Sequence, residues 1–186
     1  MAFHFKIRLL NVISPPVWRR VVVPEHFTFW RFHLVIQEAF GWWNSHLFQF
    51  SPEGLDSEPA IGLVGDWNED DNPLDCERIR LNRVFYKQGQ TFVYLYDFGD
   101  GWEHSIDLQE ITKEKIKRAD LLKGEGRCPP EDCGGYHGYQ ELKNILADPR
   151  HSEHGDMKEW LGLSKRQKWN PDTFDFKKAR AAVQKV

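Results

Sequence analysis

The chain has 186 residues, of which 40% are hydrophobic and 14% aromatic, and its formal net charge is −3. This apolar content is enough for a packed core, so the composition excludes a disordered chain. A globular chain of this length buries roughly 70% of its unfolded surface as one unit. We therefore expect a single domain over residues 1–186.

The sequence has no run of about 18 apolar residues, which a membrane-spanning helix would need. Its N-terminus alternates apolar and polar residues at Phe3, Phe5, Ile7 and Leu9, unlike a secretion signal. The three cysteines are an odd number, and a chain with this core needs no disulfides to fold. We expect a cytoplasmic protein that does not interact with membranes.

Charge is unevenly distributed along the chain. Residues 53–77 hold nine acidic side chains and no Lys or Arg, whereas residues 157–186 hold eight basic and three acidic side chains. The first segment is predicted to be an irregular acidic excursion with a turn at Asp70-Asp71-Asn72-Pro73. The second is typical of a solvated basic helix, so charge alone gives only weak support for nucleic-acid binding.

The N-terminal half begins with a predicted pair of antiparallel strands. Phe3 to Val12 and Val17 to Val23 are rich in strand-forming residues and are separated by Ser14-Pro15-Pro16, which cannot continue a strand. A helix is then predicted from Thr28, because apolar residues follow at spacings of three and four, and Gly41 is expected to end it.

The remaining elements follow in chain order. A short strand is predicted from His46 to Phe50, and a hairpin from Thr91 to Ile111 turns at Asp97-Phe98-Gly99-Asp100-Gly101. Three helices are predicted near Gly138 to Ala147, near Ser152 to Leu161 and near Phe176 to Gln184, the last with Asp175 as its N-terminal cap. The predicted fold class is α+β, with a mainly antiparallel sheet packed against helices on one face.

Several motifs in a fixed order make a family resemblance recognisable. They are Pro15 to Arg20, His33 to Gln37, Phe40-Gly41-Trp42 with His46-Leu47, Tyr94 to His104, Cys128 to Tyr139, Asp148-Pro149 with His151 to Trp160, and Phe174-Asp175. In these motifs the chain resembles the plasmid pRi ORF-three-like family. The resemblance implies a mobile-element background, since some relatives are insertion-element passengers labelled resolvase-like, but the family is largely uncharacterised.

Recombinase chemistry has no recognisable basis in the residues themselves. A serine recombinase needs an activated serine among arginines, and a tyrosine recombinase needs a nucleophilic tyrosine among Arg and His. Neither set forms a recognisable motif in this sequence. The resolvase label of some relatives therefore does not decide the activity.

The predicted hairpin turn allows two interpretations. Asp97 and Asp100 with the adjacent glycines suit a tight turn, because Asp-Gly favours positive φ. Alternatively, Asp97, Asp100 and His104 provide carboxylates and an imidazole for a divalent metal that activates water. A kinase reading of Asp97-Phe98-Gly99 fails, because no glycine-rich phosphate loop or catalytic-loop signature accompanies it.

The segment from Cys128 to Tyr139 is predicted to be a rigid loop that enters a helix, because it is rich in proline and glycine. Its residues allow several roles. Cys128, Cys133 and His137 are candidate zinc ligands, although the cysteine spacing is wider than in a usual zinc knuckle. Glu131 and Asp132 are expected to cap the helix or, alternatively, to face the hairpin turn as further acidic groups.

Candidate binding residues are Arg19, Arg20 and Trp102. An arginine can contact phosphate and an aromatic ring can stack on a base, but we favour a structural ion pair of Arg19 or Arg20 with Asp97 or Glu131. The leading functional hypothesis is a non-catalytic module that binds a protein or nucleic-acid partner near the hairpin turn. The alternative is a metal-dependent hydrolase that uses Asp97, Asp100, His104, Glu131 and Asp132.

Overall fold

The computed structural model describes residues 1–65 and 73–186. This part of the chain contains one eight-stranded sheet. Its strands are β1 (Ala2–Ile13), β2 (Pro16–Pro24), β3 (Phe48–Ser51), β4 (Ile61–Gly62), β5 (Leu74–Asp75), β6 (Thr91–Tyr96), β7 (Trp102–Thr112) and β8 (Asp120–Glu125). The helices are α1 (Phe29–Phe40), α2 (Gly135–Ala147), α3 (His154–Trp160) and α4 (Phe176–Val183), with a 3₁₀ turn at Leu81–Arg83.

The strand order across the sheet is β5-β4-β3-β6-β7-β1-β2-β8. Neighbouring strands are antiparallel except for β4 and β5, which pair in parallel. Together with the helices this confirms the predicted α+β class with a mainly antiparallel sheet. No helix in the described ranges is long and apolar enough to cross a membrane.

The first strand pair and the helix after it are confirmed. β1 pairs with β2 so that Phe3 faces Val23 and Ile7 faces Arg19, and the alternation buries Phe5 and Ile7 on the core side. In α1, the Thr28 side chain accepts a hydrogen bond from the Arg31 backbone N–H. The apolar face of this helix packs on the sheet, where Phe32 contacts Phe5 of β1 and Phe50 of β3.

The hairpin from Thr91 to Ile111 is confirmed as β6 and β7, joined by the five-residue turn 97–101. β3 is close to its predicted position and pairs with β6, with Phe48 opposite Tyr96. The three C-terminal helices are also found, and Asp175 accepts a hydrogen bond from the Lys178 backbone N–H as the predicted cap of α4.

Two regions differ from the sequence analysis. β8 was not predicted; it extends the sheet beyond β2, where Val21 pairs with Leu121. The acidic segment 53–77 contains the two short strands β4 and β5 in addition to turns. The turn predicted at Asp70-Asp71-Asn72-Pro73 lies outside the described residues except for Pro73.

Arg19 does not form the predicted ion pair with Asp97 or Glu131. Its guanidinium is buried and donates to four backbone carbonyl oxygens, those of Trp18, Ala39, Glu125 and Gly126, at 2.7–3.1 Å. It also lies 3.6 Å from the centroid of the Phe174 ring. The side chain joins β2 to the end of α1 and to β8, and backbone carbonyls, not a carboxylate, accept from its donors.

Two buried imidazoles lie in the core. His33 Nδ1 is 2.8 Å from the Tyr94 hydroxyl and Nε2 is 2.6 Å from Asn44 Oδ1, while His104 Nδ1 is 3.2 Å from the Tyr94 carbonyl oxygen. Burial lowers the pKa of His33 to about 4 and that of His104 to about 3. Both rings are therefore neutral in the folded protein at neutral pH.

Replacing Arg19 with lysine is expected to destabilise the fold by about 2–4 kcal/mol, because one ammonium cannot reach four carbonyls and leaves buried acceptors without donors. Urea unfolding measures this change. The matched control is Arg20→Lys, since Arg20 is partly exposed and lies 3.9 Å from Glu110, and a surface pair of this kind contributes at most about 1 kcal/mol. Equal losses for the two variants would contradict the assignment.

Acidification is expected to destabilise the protein between about pH 6.5 and pH 4. In this range the unfolded chain binds a proton at His33 and His104 that the folded state does not bind, so stability rises with pH. At pH 5 each histidine is expected to lower the free energy of unfolding by about 1–2 kcal/mol relative to neutral pH. Unfolding free energies as a function of pH, measured for the wild type and for His104→Gln, check this expectation.

The His104→Gln variant is expected to have a shallower pH dependence in that range, whatever its absolute stability. His137→Gln is the control, because His137 is exposed and the same substitution there leaves the core unchanged. A pH dependence that is unchanged in His104→Gln would show that this imidazole does not titrate on unfolding.

Candidate functional site

The predicted hairpin turn and the loop before α2 lie against each other in the structure. The Gly134 backbone N–H donates to Asp100 Oδ2 at 3.2 Å. Gly135 has a φ of 66°, and a Cβ atom there would lie 2.6 Å from the Asp100 carbonyl oxygen. Only a residue without a side chain allows this close contact between the two loops.

Asp97 forms part of the turn and also faces away from it. Its φ is 57°, and its Oδ1 accepts hydrogen bonds from the backbone N–H groups of Gly99 at 2.9 Å and Asp100 at 3.3 Å. Its other oxygen, Oδ2, lies 3.7 Å from His46 Nε2. The two interpretations of this residue are therefore compatible, since the turn uses one oxygen and leaves the other available.

The two oxygens of the buried Glu131 carboxylate have different surroundings. Its Oε1 accepts hydrogen bonds from the Trp43 backbone N–H at 2.7 Å and the Tyr96 hydroxyl at 3.0 Å. Burial raises the pKa of Tyr96 to about 12, with the adjacent Glu131 acting in the same direction, so the phenol keeps its proton. Oε2 is buried without a hydrogen-bond partner and lies 3.8 Å from His46 Nε2.

Asp132 completes the arrangement from the solvent side. Its Oδ1 lies 3.2 Å from His46 Nε2, and its side chain is 69% exposed. Three carboxylates thus meet at the His46 Nε2 atom. We call His46, Asp97, Glu131 and Asp132 the His46 cluster. The expectation that Glu131 and Asp132 cap α2 is wrong, because Gly134 is the N-cap and no side chain caps the helix.

The other candidate residues lie elsewhere. His104 is buried in the core, where its ring packs edge-on against Phe40 and Trp42. Trp102 is also buried, with 2% of its surface exposed, so it is not available to a partner at the surface. The position of the imidazole in the cluster is taken by His46, which lies in the segment between α1 and β3 and is not among the predicted site residues.

The cysteines and His137 do not form a metal-binding group with one another. Over residues 1–65 and 73–186, the one group of three or more His, Cys, Asp or Glu side chains whose ligand atoms lie within 4.8 Å of one another is His46, Asp97 and Asp132. Burial raises the pKa of Cys133 to about 12 and that of Cys128 well above its usual range. Both thiols are therefore protonated in the fold.

A cleft of about 840 Å³ adjoins the His46 cluster. It lies between the C-terminal end of α1, the loop 127–132, the end of α3 and α4. Its aromatic lining includes Trp42, Trp43, Trp160, Trp169, Phe40 and Phe174, and we call it the tryptophan cleft. Trp43 is 78% exposed and Trp160 is 48% exposed.

Similar proteins are known for most of the chain. The plasmid pRiA4b ORF-3-like protein family matches residues 1–178. The uncharacterized protein y4hQ from Sinorhizobium fredii is 43% identical over 158 residues, which cover 83% of this chain and 78% of y4hQ. The crystal structure of MM3350, a protein of unknown function from Methanosarcina mazei Go1, aligns with a TM-score of 0.77 and 30% identity over 95% of this chain and 96% of MM3350.

These matches confirm the resemblance carried by the motifs from Pro15 to Asp175. They connect the chain to proteins of unknown function and show that its fold is shared with an archaeal protein. Because this match covers residues 1–178, the chain belongs to the family of plasmid pRiA4b ORF-3-like proteins.

Proposed function

We propose that the protein is a binding module that holds a short segment of a partner protein in the tryptophan cleft. The observation that carries this proposal is the pair of exposed tryptophans, Trp43 and Trp160, on the walls of a concave surface. Tryptophan is costly to leave in water and is enriched among the residues that dominate binding energy. A cleft of this volume accommodates several side chains of a peptide.

The charges around the cleft favour a basic partner segment. Four acidic residues line it: Glu38, Glu131, Asp132 and Asp175. Of the three basic residues in the lining, Arg19 is fully engaged by backbone carbonyls and Arg127 donates to Asn170 and Thr173. Among the described lining residues, Lys178 is then the one remaining cation, against four acidic residues. A phosphate backbone needs unengaged cations, so nucleic acid fits this surface less well.

An apolar side chain flanked by Lys or Arg meets these conditions. The apolar group packs against Trp43 and Trp160, and the cation lies near the carboxylates or over an indole face. The segment needs no covalent chemistry, which agrees with a non-catalytic role. The metal-dependent hydrolase is not the function we propose, because His104 packs in the core and Asp100 accepts a hydrogen bond from Gly134.

Selection from a phage-displayed library of short random peptides tests this function. We expect the enriched peptides to combine an aromatic or aliphatic residue with a neighbouring Lys or Arg. Trp43→Ala and Trp160→Ala are each expected to weaken the selected peptides by about 30-fold, which corresponds to the 2 kcal/mol typical of a binding hot spot. Fluorescence anisotropy of labelled peptides measures the affinity.

Tyr86→Ala is the matched control, because Tyr86 is 77% exposed and is not part of the cleft lining. It should leave peptide affinity unchanged. Anisotropy of labelled single-stranded DNA in the same assay tests whether the cleft binds nucleic acid instead of a peptide. The proposal would be overturned by peptides that bind Trp43→Ala and Trp160→Ala as tightly as the wild type, or by salt-sensitive DNA binding that these variants abolish.

A further inference from the structure

The His46 cluster has more negative charge than its own residues can neutralise. Asp97, Glu131 and Asp132 contribute three carboxylates, and their one ion-pair partner in the described part of the chain is the imidazole of His46. Two of these carboxylates, those of Asp97 and Glu131, are buried, whereas Asp132 is exposed. Buried carboxylates are unfavourable without hydrogen-bond donors or a cation.

The two buried carboxylates are oriented in the same way. Asp97 Oδ1 and Glu131 Oε1 each accept two hydrogen bonds from groups outside the cluster, which fixes the plane of each carboxylate. The second oxygen of each, Oδ2 or Oε2, then faces His46 Nε2. Holding one oxygen with donors while presenting the other is how outer-shell groups orient metal ligands.

Two polar atoms at the centre of the cluster have no hydrogen-bond partner. Glu131 Oε2 belongs to a side chain that is 3% exposed, and His46 Nε2 is shielded from solvent by the surrounding residues. Buried polar atoms are nearly always satisfied, and each exception requires an explanation. A bound cation would satisfy both atoms at once, whereas a single N–H proton can satisfy only one carboxylate.

The spacing of the ligand atoms fits a small ion. The three carboxylate oxygens lie 3.2, 3.7 and 3.8 Å from His46 Nε2. Four ligands at the usual zinc distances of about 2.0–2.2 Å in a tetrahedron are separated by about 3.4 Å. His46 Nε2 and one oxygen each of Asp97 and Asp132 all lie within 4.8 Å of one another, which is close enough to coordinate one ion after small side-chain shifts, whereas Glu131 lies outside this group.

We propose that His46 Nε2, Asp97 Oδ2 and Asp132 Oδ1 bind one divalent transition-metal ion, of which zinc and manganese are the representatives to test. The buried Glu131 Oε2 faces the same imidazole nitrogen at 3.8 Å and adds negative charge beside the ion. The imidazole favours these metals over calcium and magnesium, which prefer all-oxygen sites. Because Asp132 is at the surface, the ion can enter from solvent and has access to water on that side. This proposal does not require peptide binding in the tryptophan cleft, although the cleft lining includes Glu131 and Asp132.

The experiment is isothermal titration of Zn²⁺, and separately of Mn²⁺, into full-length protein that has been treated with chelator and dialysed. We expect one equivalent to bind. Asp132→Asn and Glu131→Gln keep the side-chain shape. The first removes a charged ligand and the second removes the buried charge beside the ion, and each is expected to lower the affinity by at least about tenfold. Tyr96→Phe removes a donor to Glu131 and is expected to have a weaker effect in the same direction.

Asp100→Asn is the matched control. Asp100 lies in the same turn as Asp97, but its Oδ2 accepts from Gly134, and asparagine can still accept that bond. Its affinity should equal that of the wild type. Thermal denaturation of every variant without metal verifies that a loss of binding does not come from unfolding, and the metal-induced rise in melting temperature provides a second readout.

Cobalt substitution identifies the ligand atoms. Co²⁺ in the proposed site should show d–d absorption without a thiolate-to-cobalt charge-transfer band, and Cys133→Ser should not alter the spectrum. The proposal would be overturned by a folded wild type that binds no Zn²⁺ or Mn²⁺, by binding that Asp132→Asn and Glu131→Gln do not weaken, or by a thiolate band that is lost in Cys133→Ser.

Metal binding and peptide binding are tested separately. Trp43→Ala and Trp160→Ala should retain the metal affinity of the wild type, because Trp43 contacts Glu131 through its backbone N–H. Peptide selection in the presence of chelator examines the cleft alone. A failure of one proposal therefore leaves the outcome of the other unaffected.

Discussion

The arrangement of the whole site depends on how the fold buries the carboxylate of Glu131. A buried carboxylate must be given hydrogen-bond donors or a cation, because its desolvation is costly. Here the donors come from two distant parts of the chain, the backbone after α1 at Trp43 and the end of β6 at Tyr96. These two contacts fix the loop 127–132 against the sheet, and they determine the direction in which the second oxygen of Glu131 points.

Glycines at the start of α2 fix the position of the same loop a second time. Gly135 allows the start of α2 to reach the Asp100 carbonyl, and a Cβ atom at Gly138 would lie only 1.8 Å from the Cys133 carbonyl oxygen. A side chain at position 135 would therefore push the helix away from the hairpin turn, and one at position 138 would push it away from the loop that precedes it. The position of Asp132 relative to Asp97 therefore follows from backbone contacts between two loops, and does not require any direct bond between the two carboxylates.

The sequence was sufficient for elements whose signals are local. The alternation in β1 and β7, the spacing in α1 and the Asp175 cap each depend on neighbouring residues, and all are found. β8 carries a weak local signal, since Asp120 to Glu125 alternates poorly and its pairing depends on the exposed edge of β2. An edge strand of this kind is defined by its partner and not by its own pattern.

The site shows the same limit. Asp97, Glu131 and Asp132 are candidates on chemical grounds and each has an oxygen within 3.8 Å of His46 Nε2, but the imidazole that they meet depends on the strand register. His104 lies in the hairpin with Asp97, yet β7 turns its ring into the core beside Phe40. His46 reaches the turn because β3 pairs with β6, with the Asp97 backbone N–H donating to Leu47 O at 2.9 Å. Nothing in the local sequence indicates that pairing.

The tryptophan cleft and the His46 cluster share Glu131 and Asp132, but they use different atoms. The cluster needs the carboxylate oxygens and the Trp43 backbone, whereas the cleft uses the Trp43 ring and the outer surface of the loop 127–132. A cation held in the cluster would cancel part of the negative charge at that end of the cleft. The remaining acidic residues, Glu38 and Asp175, would then provide most of its attraction for a basic segment.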